Sequence, residues 1–534
     1  MMGGVGEESA TVTRKPDVVT SGPPPRAGAG MGAGAVSALR GILARPLASY
    51  YLLLSSAGLL LVIGLTMVFS ATGPMEYAQA GNPFAALTKQ ALFAVIGLVG
   101  FWVCQRLPAR TFRALALPVL VLAFVLLLLL NGLLVWASLN KTDTAQIGPF
   151  SAHLLWLYVG SFQIQPSELA KFGLVLWGAD VVARKGAALG YWRELATPLL
   201  PAVVLLFVLV GYNDLGTMLC LLAIVIGLLW AAGVRKRVFA GLSALGLAGI
   251  GLLVAAASVG GGSGTAGAEN YRLARLLTFI SPPPGCTTDA CYQAVQARYA
   301  IDNGGWFGVG LGQSRLKWDW LPEAGNDFIF AVIAEELGVV GCVVVLALFG
   351  VLAFTGLRIA RRVDDPFRRL AAAAVTTWLI SQALINICGV IGLLPITGIP
   401  LPFISDGGSA LVVTLAAVGM LASFARAEPD AARALHARPP ARWVRLLWAP
   451  LPPLPAKKPA KATKAAAAPA SATAAKPART SRAVAGSRPA GDEGGPGARP
   501  RAGEGSGRPT RPRGAAGSGR PARPRGDAGD ERRR

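Results

Sequence analysis

The chain runs to 534 residues, of which 53% are hydrophobic and only 15% charged, and its mean hydropathy is +0.51. That composition excludes a string of ordinary soluble domains and describes a chain dissolved in lipid. The formal net charge of +23 does not argue for nucleic acid, because much of the basic excess falls after residue 425, in a tail of Ala, Pro, Gly, Arg and Lys.

Residues 1–48 are rich in Gly, Pro and polar side chains and carry no apolar core ahead of a small-residue cleavage site. They read as a disordered cytoplasmic tail, not as a secretory signal. Crossing roughly 30 Å of hydrocarbon takes about 20 helical residues. Ten stretches meet that need, at 49–71, 88–105, 114–138, 166–183, 195–211, 215–233, 238–258, 327–356, 370–393 and 409–425. The expectation is an all-α polytopic membrane protein with one membrane domain at 49–426 and a large extracytoplasmic loop between the seventh and eighth spans.

With the N-terminus inside, Arg106, Arg110 and Arg113 fall in a cytoplasmic gap, as do Arg184, Lys185 and Arg193, then Arg235, Lys236 and Arg237, and finally Arg358, Arg361, Arg362, Arg368 and Arg369. The short outer gaps nearly lack Lys and Arg, so the positive-inside rule puts both termini in the cytoplasm. The tail at 427–534 buries too little apolar surface to offset its ordering entropy. It is expected to be disordered, lying as a basic anchor on anionic lipid or docking to an acidic partner.

In chain order, the first irregular outer segment is Asn140 to Gln165, too short and too polar at its ends to span, which reads as lying in the interface. Glu168 and Lys171 of QPSELAK are three apart on one helical face, so they are placed to pair, and ionisable groups inside a span are functional candidates by default. Asp214 of YNDLGT sits between two apolar runs, either capping a helix or contacting a substrate or cation. The loop at 259–326 carries Arg272, Arg275, Arg298, Arg315 and Lys317 where topology gives no reason for basic residues. They pair locally with Asp289, Asp302, Asp319 and Glu323, or they hold a phosphate group. NGGWFGVGLGQS at 303–314 is not a dinucleotide loop, because no buried strand precedes it; its glycines permit tight turns or close backbone approach.

Asp327, in LPEAGNDFIFAVIAEELG, is delivered from a Pro- and Gly-containing loop onto the outer end of a long apolar helix, as a helix cap or as a catalytic base. GLLPITGIPLPFISDGGS at 392–409 breaks apolar sequence with Pro and Gly, and irregular backbone at membrane depth is tolerated only where it is buried or lines a wet cavity. Cys104, Cys220, Cys342 and Cys388 lie in or beside apolar spans and behave as small hydrophobes, whereas Cys286 and Cys291 are spaced to close a small outer disulfide. With only His153 and His436 in the chain, histidine triads and HExxH zinc sites have no material.

These segments, in this order over roughly residues 50–426, resemble the SEDS (shape, elongation, division and sporulation) family. The matches are QPSELAKF, DLGT, YRLARLLTFISP, YQAVQARYAIDNGGWFGVGLGQS, LPEAGNDFIFAVIAEELG and GLLPITGIPLPFISDGGS. The resemblance implies a peptidoglycan glycosyltransferase of the cell membrane, at the division septum. It would polymerise lipid II beside a class B penicillin-binding transpeptidase and other division proteins, with no nucleic-acid partner. The family's essential carboxylate falls on Asp327. Substrate contacts are expected from Glu168, Lys171, Asp214, Arg272, Arg275, Lys317, Ser405 and Ser409. No protein metal site or resident cofactor is assigned; a divalent cation, Mg or Mn, is the alternative to Arg272, Arg275 or Lys171 for balancing the pyrophosphate. Two positions depart from the family pattern: Gly325-Asn326 replaces a His-Thr or His-Asn pair, and Asp406 replaces an aromatic residue. The rival readings are a lipid II flippase, an elongation-type polymerase and a scaffold that only recruits the transpeptidase.

Overall fold

The computed structural model describes residues 40–454, except 42, 141, 143, 144, 149, 154, 161, 187–191, 212, 213, 260–288 and 319. A helix stands over each of the ten apolar stretches: α1 (Ala48–Ala80), α2 (Ala85–Arg106), α3 (Ala109–Leu139), α4 (Pro166–Lys185), α5 (Trp192–Gly211), α6 (Leu215–Ala231), α7 (Lys236–Val259), α9 (Ile329–Arg362), α10 (Pro366–Val390) and α11 (Ser409–Arg426). Among the described residues, seven of these are long and apolar enough to cross a membrane, namely α1, α2, α3, α6, α9, α10 and α11. The apolar part of α5 is the shorter run Leu199–Gly211. Charge sets α4 apart, since Glu168, Lys171 and Asp180 all lie within it and are buried.

The bundle is built around α4, α6, α10 and α11, whose side chains are mostly buried, while α2, α3 and the lower half of α9 turn Leu, Val and Ile outward. An apolar exterior is the solvent match a lipid-facing helix requires, and close packing between such helices depends on small residues. Gly419 shows why: a Cβ there would collide with the backbone of Phe101, so α11 meets α2 main chain to main chain.

The chain departs from the all-α expectation between α3 and α4. Residues expected to lie in the interface fold as a four-stranded antiparallel meander, β1 (Ala145–Ile147), β2 (Phe150–His153), β3 (Trp156–Val159) and β4 (Phe162–Ile164). Ile147 pairs with Phe150, His153 with Trp156 and Val159 with Phe162, so all three hairpins close through two residues, and in the first and third Gly148 and Gly160 supply the positive φ that such turns demand. The inner face, Ala145, Ala152 and Leu157, packs on Leu130, Leu133 and Ala137 of α3. Strands of three and four residues are too short to show a period in sequence.

Three further elements were unexpected. In the long gap between α7 and α9 stands α8 (Asp289–Gly304), against α9. Beyond α11 the chain does not dissolve at residue 427; it forms α12 (Pro429–Ala437) and α13 (Arg442–Leu447). Pro at the first turn starts α12, and tertiary bonds to the bundle, not composition, order the rest.

Candidate active site

The chain enters α9 through a tight turn at Glu323, whose φ is 58° and whose carbonyl accepts from the amides of Asn326 at 3.0 Å and Phe328 at 3.2 Å. The helix begins at Ile329 with Phe328 as its N-cap, which makes no side-chain cap bond, and Asp327 stands one residue before it. Three successive carbonyls of the turn are tied down. Gly325 O accepts from the Asp406 amide at 3.0 Å, Asn326 O from Ser405 Oγ at 2.7 Å, and Asp327 O from Asn386 Nδ2 at 2.8 Å. Ser405 Oγ also accepts from the Leu401 amide at 2.7 Å, and Asn386 Nδ2 also donates to Ile399 O at 2.8 Å. The half-buried Asp327 is therefore held on its backbone by α10 and by the Pro/Gly segment before α11, with Phe328 and Phe330 buried beside it.

Both departures from the family pattern lie here. A Cβ on Gly325 would stand 2.6 Å from Thr72 Cγ2, so a larger residue requires the Thr72 side chain to give way. Asp406 is largely buried, which pushes its carboxyl above the ordinary range; Lys89 opposes the shift, while Glu76 and Glu323 add to it.

A second polar cluster lies inside the bundle. Lys171 Nζ meets Glu168 Oε1 at 2.7 Å and Gln382 Oε1 at 2.8 Å, and stands 5.5 Å from the Trp378 ring centroid. All these side chains are buried, so the pairing read from the three-residue spacing exists as a desolvated ion pair. Gln382 Nε2 carries the connection to Pro400 O at 2.9 Å, in the same segment that clamps Asp327. Asp214 caps α6, accepting from the Thr217 amide at 2.8 Å and from Thr217 Oγ1 at 2.5 Å. Ser409 Oγ accepts from the Gln165 amide at 3.0 Å. Three buried acceptors, Gln90 Oε1, Glu168 Oε2 and Asn386 Oδ1, meet no donor among the described residues.

Lys317 is elsewhere. Its Nζ is buried against Glu336 Oε1 at 3.0 Å and approaches Ser70 Oγ at 3.5 Å, not the acidic neighbours of its own loop. Ser70 Oγ donates to Glu336 Oε2 at 2.6 Å, and Ser314 Oγ donates to Glu335. The glycine-rich loop packs where α9 is interrupted at Gly338: Val309 N donates to Glu335 O at 2.9 Å and Gly310 N to Glu336 O at 3.1 Å. A Cβ on Gly308, at φ +78°, would collide with Glu336 O, which is the close backbone approach that its glycines suggested. Arg272, Arg275 and the Cys286–Cys291 pairing fall outside the described residues. Sequence reasoning missed Gln90, Gln382, Asn386, Glu335 and Glu336; amides and paired carboxylates inside apolar helices were the signal that finds them.

Among the described residues no three His, Cys, Asp or Glu side chains gather into a metal site.

The family model FTSW_RODA_SPOVE, described as cell cycle protein, matches residues 50–429. The chain belongs to this family. Probable peptidoglycan glycosyltransferase FtsW of Mycobacterium tuberculosis is 40% identical over 411 residues, 77% of this chain and 74% of that protein. Stage V sporulation protein E of Bacillus subtilis is 34% identical over 373 residues, 69% of this chain and 94% of that protein. A solved structure, reported as structural coordination of polymerization and crosslinking by a peptidoglycan synthase complex, covers 70% of this chain and 96% of its own at 26% identity, with a TM-score of 0.52. FtsW_RodA_SpoVE membership agrees with the motif reading and with the polytopic helical fold.

Proposed function

We propose that this protein is a peptidoglycan glycosyltransferase that polymerises lipid II into glycan strands for the division septum, with Asp327 as general base. The observation that carries the reading is Asp327 itself. It is a half-buried carboxylate on a backbone fixed at three consecutive carbonyls, in a chain whose relatives in the family include named peptidoglycan glycosyltransferases. Fixing a base to within a fraction of an ångström is what an oriented proton transfer needs.

In the reaction, the Asp327 carboxylate takes the proton of the acceptor sugar's 4-hydroxyl as that oxygen attacks the donor's anomeric carbon. The new C–O bond forms as the bond to the pyrophosphate oxygen breaks, with inversion, and undecaprenyl pyrophosphate departs as an anion. Arg272 and Arg275 are our candidates for balancing its charge. Lys317 and Lys171 are weaker candidates, because Glu336 and Glu168 already hold them. Among the described residues the donors do not form a protein-held metal site, and a divalent cation, Mg or Mn, would instead be carried by the substrate's own pyrophosphate.

The buried Glu168–Lys171 pair and Asp214 support the inner wall of the substrate site, with Ser405 closing it from the segment before α11 and Ser409 from the first turn of α11. A class B transpeptidase is the partner, and both termini are cytoplasmic, as the Arg-rich gaps require.

The test is glycan polymerisation from purified lipid II by this protein with its cognate transpeptidase, comparing wild type with Asp327→Asn at equal folding and partner binding. Polymer from wild type alone supports the assignment. Equal polymer from both removes Asp327 as base, and lipid II translocation in vesicles without polymer from either replaces the enzyme by a flippase.

A further inference from the structure

From Ala431 to Leu454 the chain carries Arg433, Arg438, Arg442 and Arg445 and no Asp or Glu. Within it, α13 is fastened to the bundle almost wholly through main-chain carbonyls. Arg106 donates to Leu446 O at 2.5 Å, Trp102 Nε1 to Leu447 O at 2.6 Å, Gln105 Nε2 to Trp448 O at 3.4 Å, and Arg426 to Ala449 O and Pro450 O at 3.2 and 2.9 Å. Trp448 Nε1 adds a bond to Tyr50 OH at 2.6 Å. Because the backbone makes the attachment, the side chains are left outward: Trp443 is 66% exposed, Leu446 71% and Leu447 64%.

Those positions are spaced i, i+3 and i+4, one apolar stripe of a helix. The stripe lies beside the last turn of α2, a membrane span, where the Arg106 guanidinium stands 4.8 Å from the Trp102 ring centroid. Arg438 and Arg442 are exposed, and Arg445 is half-buried, with its Nε enclosed and without an acceptor among the described residues.

We propose that α13 with Arg438, Arg442 and Arg445 is a binding site for anionic phospholipid headgroups, its Trp443, Leu446 and Leu447 sunk into the acyl boundary of the leaflet that meets the end of α2. An apolar stripe flanked by basic residues at a span's end suits that leaflet in both depth and charge.

The experiment places a photocrosslinking benzoylphenylalanine at Leu446 of the full chain in phosphatidylcholine vesicles, with and without phosphatidylglycerol. The two leaflets have the same composition, so the result does not depend on which side α13 faces. The expected result is a lipid adduct, enriched at least about five-fold by phosphatidylglycerol, since each basic residue near an anionic surface adds about that factor. Arg442→Gln with Arg445→Gln returns it to the phosphatidylcholine level while the melting temperature holds. An adduct indifferent to phosphatidylglycerol, an adduct to protein only when native membranes are used, or no adduct would each overturn the proposal. None of these outcomes bears on Asp327.

Discussion

Lys317→Met removes the cation from a site where Glu336 is fully buried and Glu335 lies beside it in the chain. What remains to Glu336 is the Ser70 hydroxyl at 2.6 Å, with the Ser314 amide at 3.4 Å. Removing one partner of a buried pair costs about 3–5 kcal/mol, because the other charge is left without compensation. Solvent screening offers no discount, with side-chain exposures of 1% and 0%. Adding Glu336→Gln to Lys317→Met removes the stranded charge while keeping an acceptor for Ser314 and a donor to Ser70. The double variant should lie within about 1–2 kcal/mol of wild type, the worth of one or two altered hydrogen bonds. The assay is the unfolding midpoint in mixed detergent micelles for wild type, both singles and the double, read as a double-mutant cycle. A double variant as unstable as Lys317→Met, or a single variant indistinguishable from wild type, would refute the reasoning.

Two other perturbations probe the site. Asn386→Leu strips the donor from both Asp327 O and Ile399 O, so turnover with lipid II should fall about ten-fold or more, each factor of ten being about 1.4 kcal/mol of barrier, while KM changes little; an unchanged turnover number would show that the clamp is not needed. Burial raises the Asp406 carboxyl above the ordinary carboxylate range, so folding favours its neutral form relative to the unfolded chain. Stability from this residue is full below the unfolded pKa and is lost as pH rises through the folded one; melting measured across that acidic window should show a slope that Asp406→Asn flattens, and parallel profiles would dismiss it.

Much of this was legible in sequence where a physical rule acts locally. Apolar runs of span length gave helices in place, and three-residue spacing gave the Glu168–Lys171 pair, because helical geometry alone brings those side chains together. Asp214 was legible as a cap for the same reason. The glycines of 303–314 spoke correctly of close approach, but not of what approaches, since Glu335 and Glu336 belong to another element. For Lys317 the sequence left local pairing and a phosphate contact open, and it could not show Glu336, because that carboxylate is brought to it by α9 and not by its own loop. Composition also failed at α12 and α13, where bonds from α2 and α11 order a stretch whose own residues suggest a solvated tail.

The clamp on Asp327 has a consequence for biosynthesis. Its two side-chain anchors, Asn386 and Ser405, come 59 and 79 residues after the carbonyls they hold. On the proposed role of Asp327 as base, a nascent chain that has threaded α9 into the bilayer still lacks the side chains that hold the backbone of this turn, so activity should wait until the segment before α11 has been delivered.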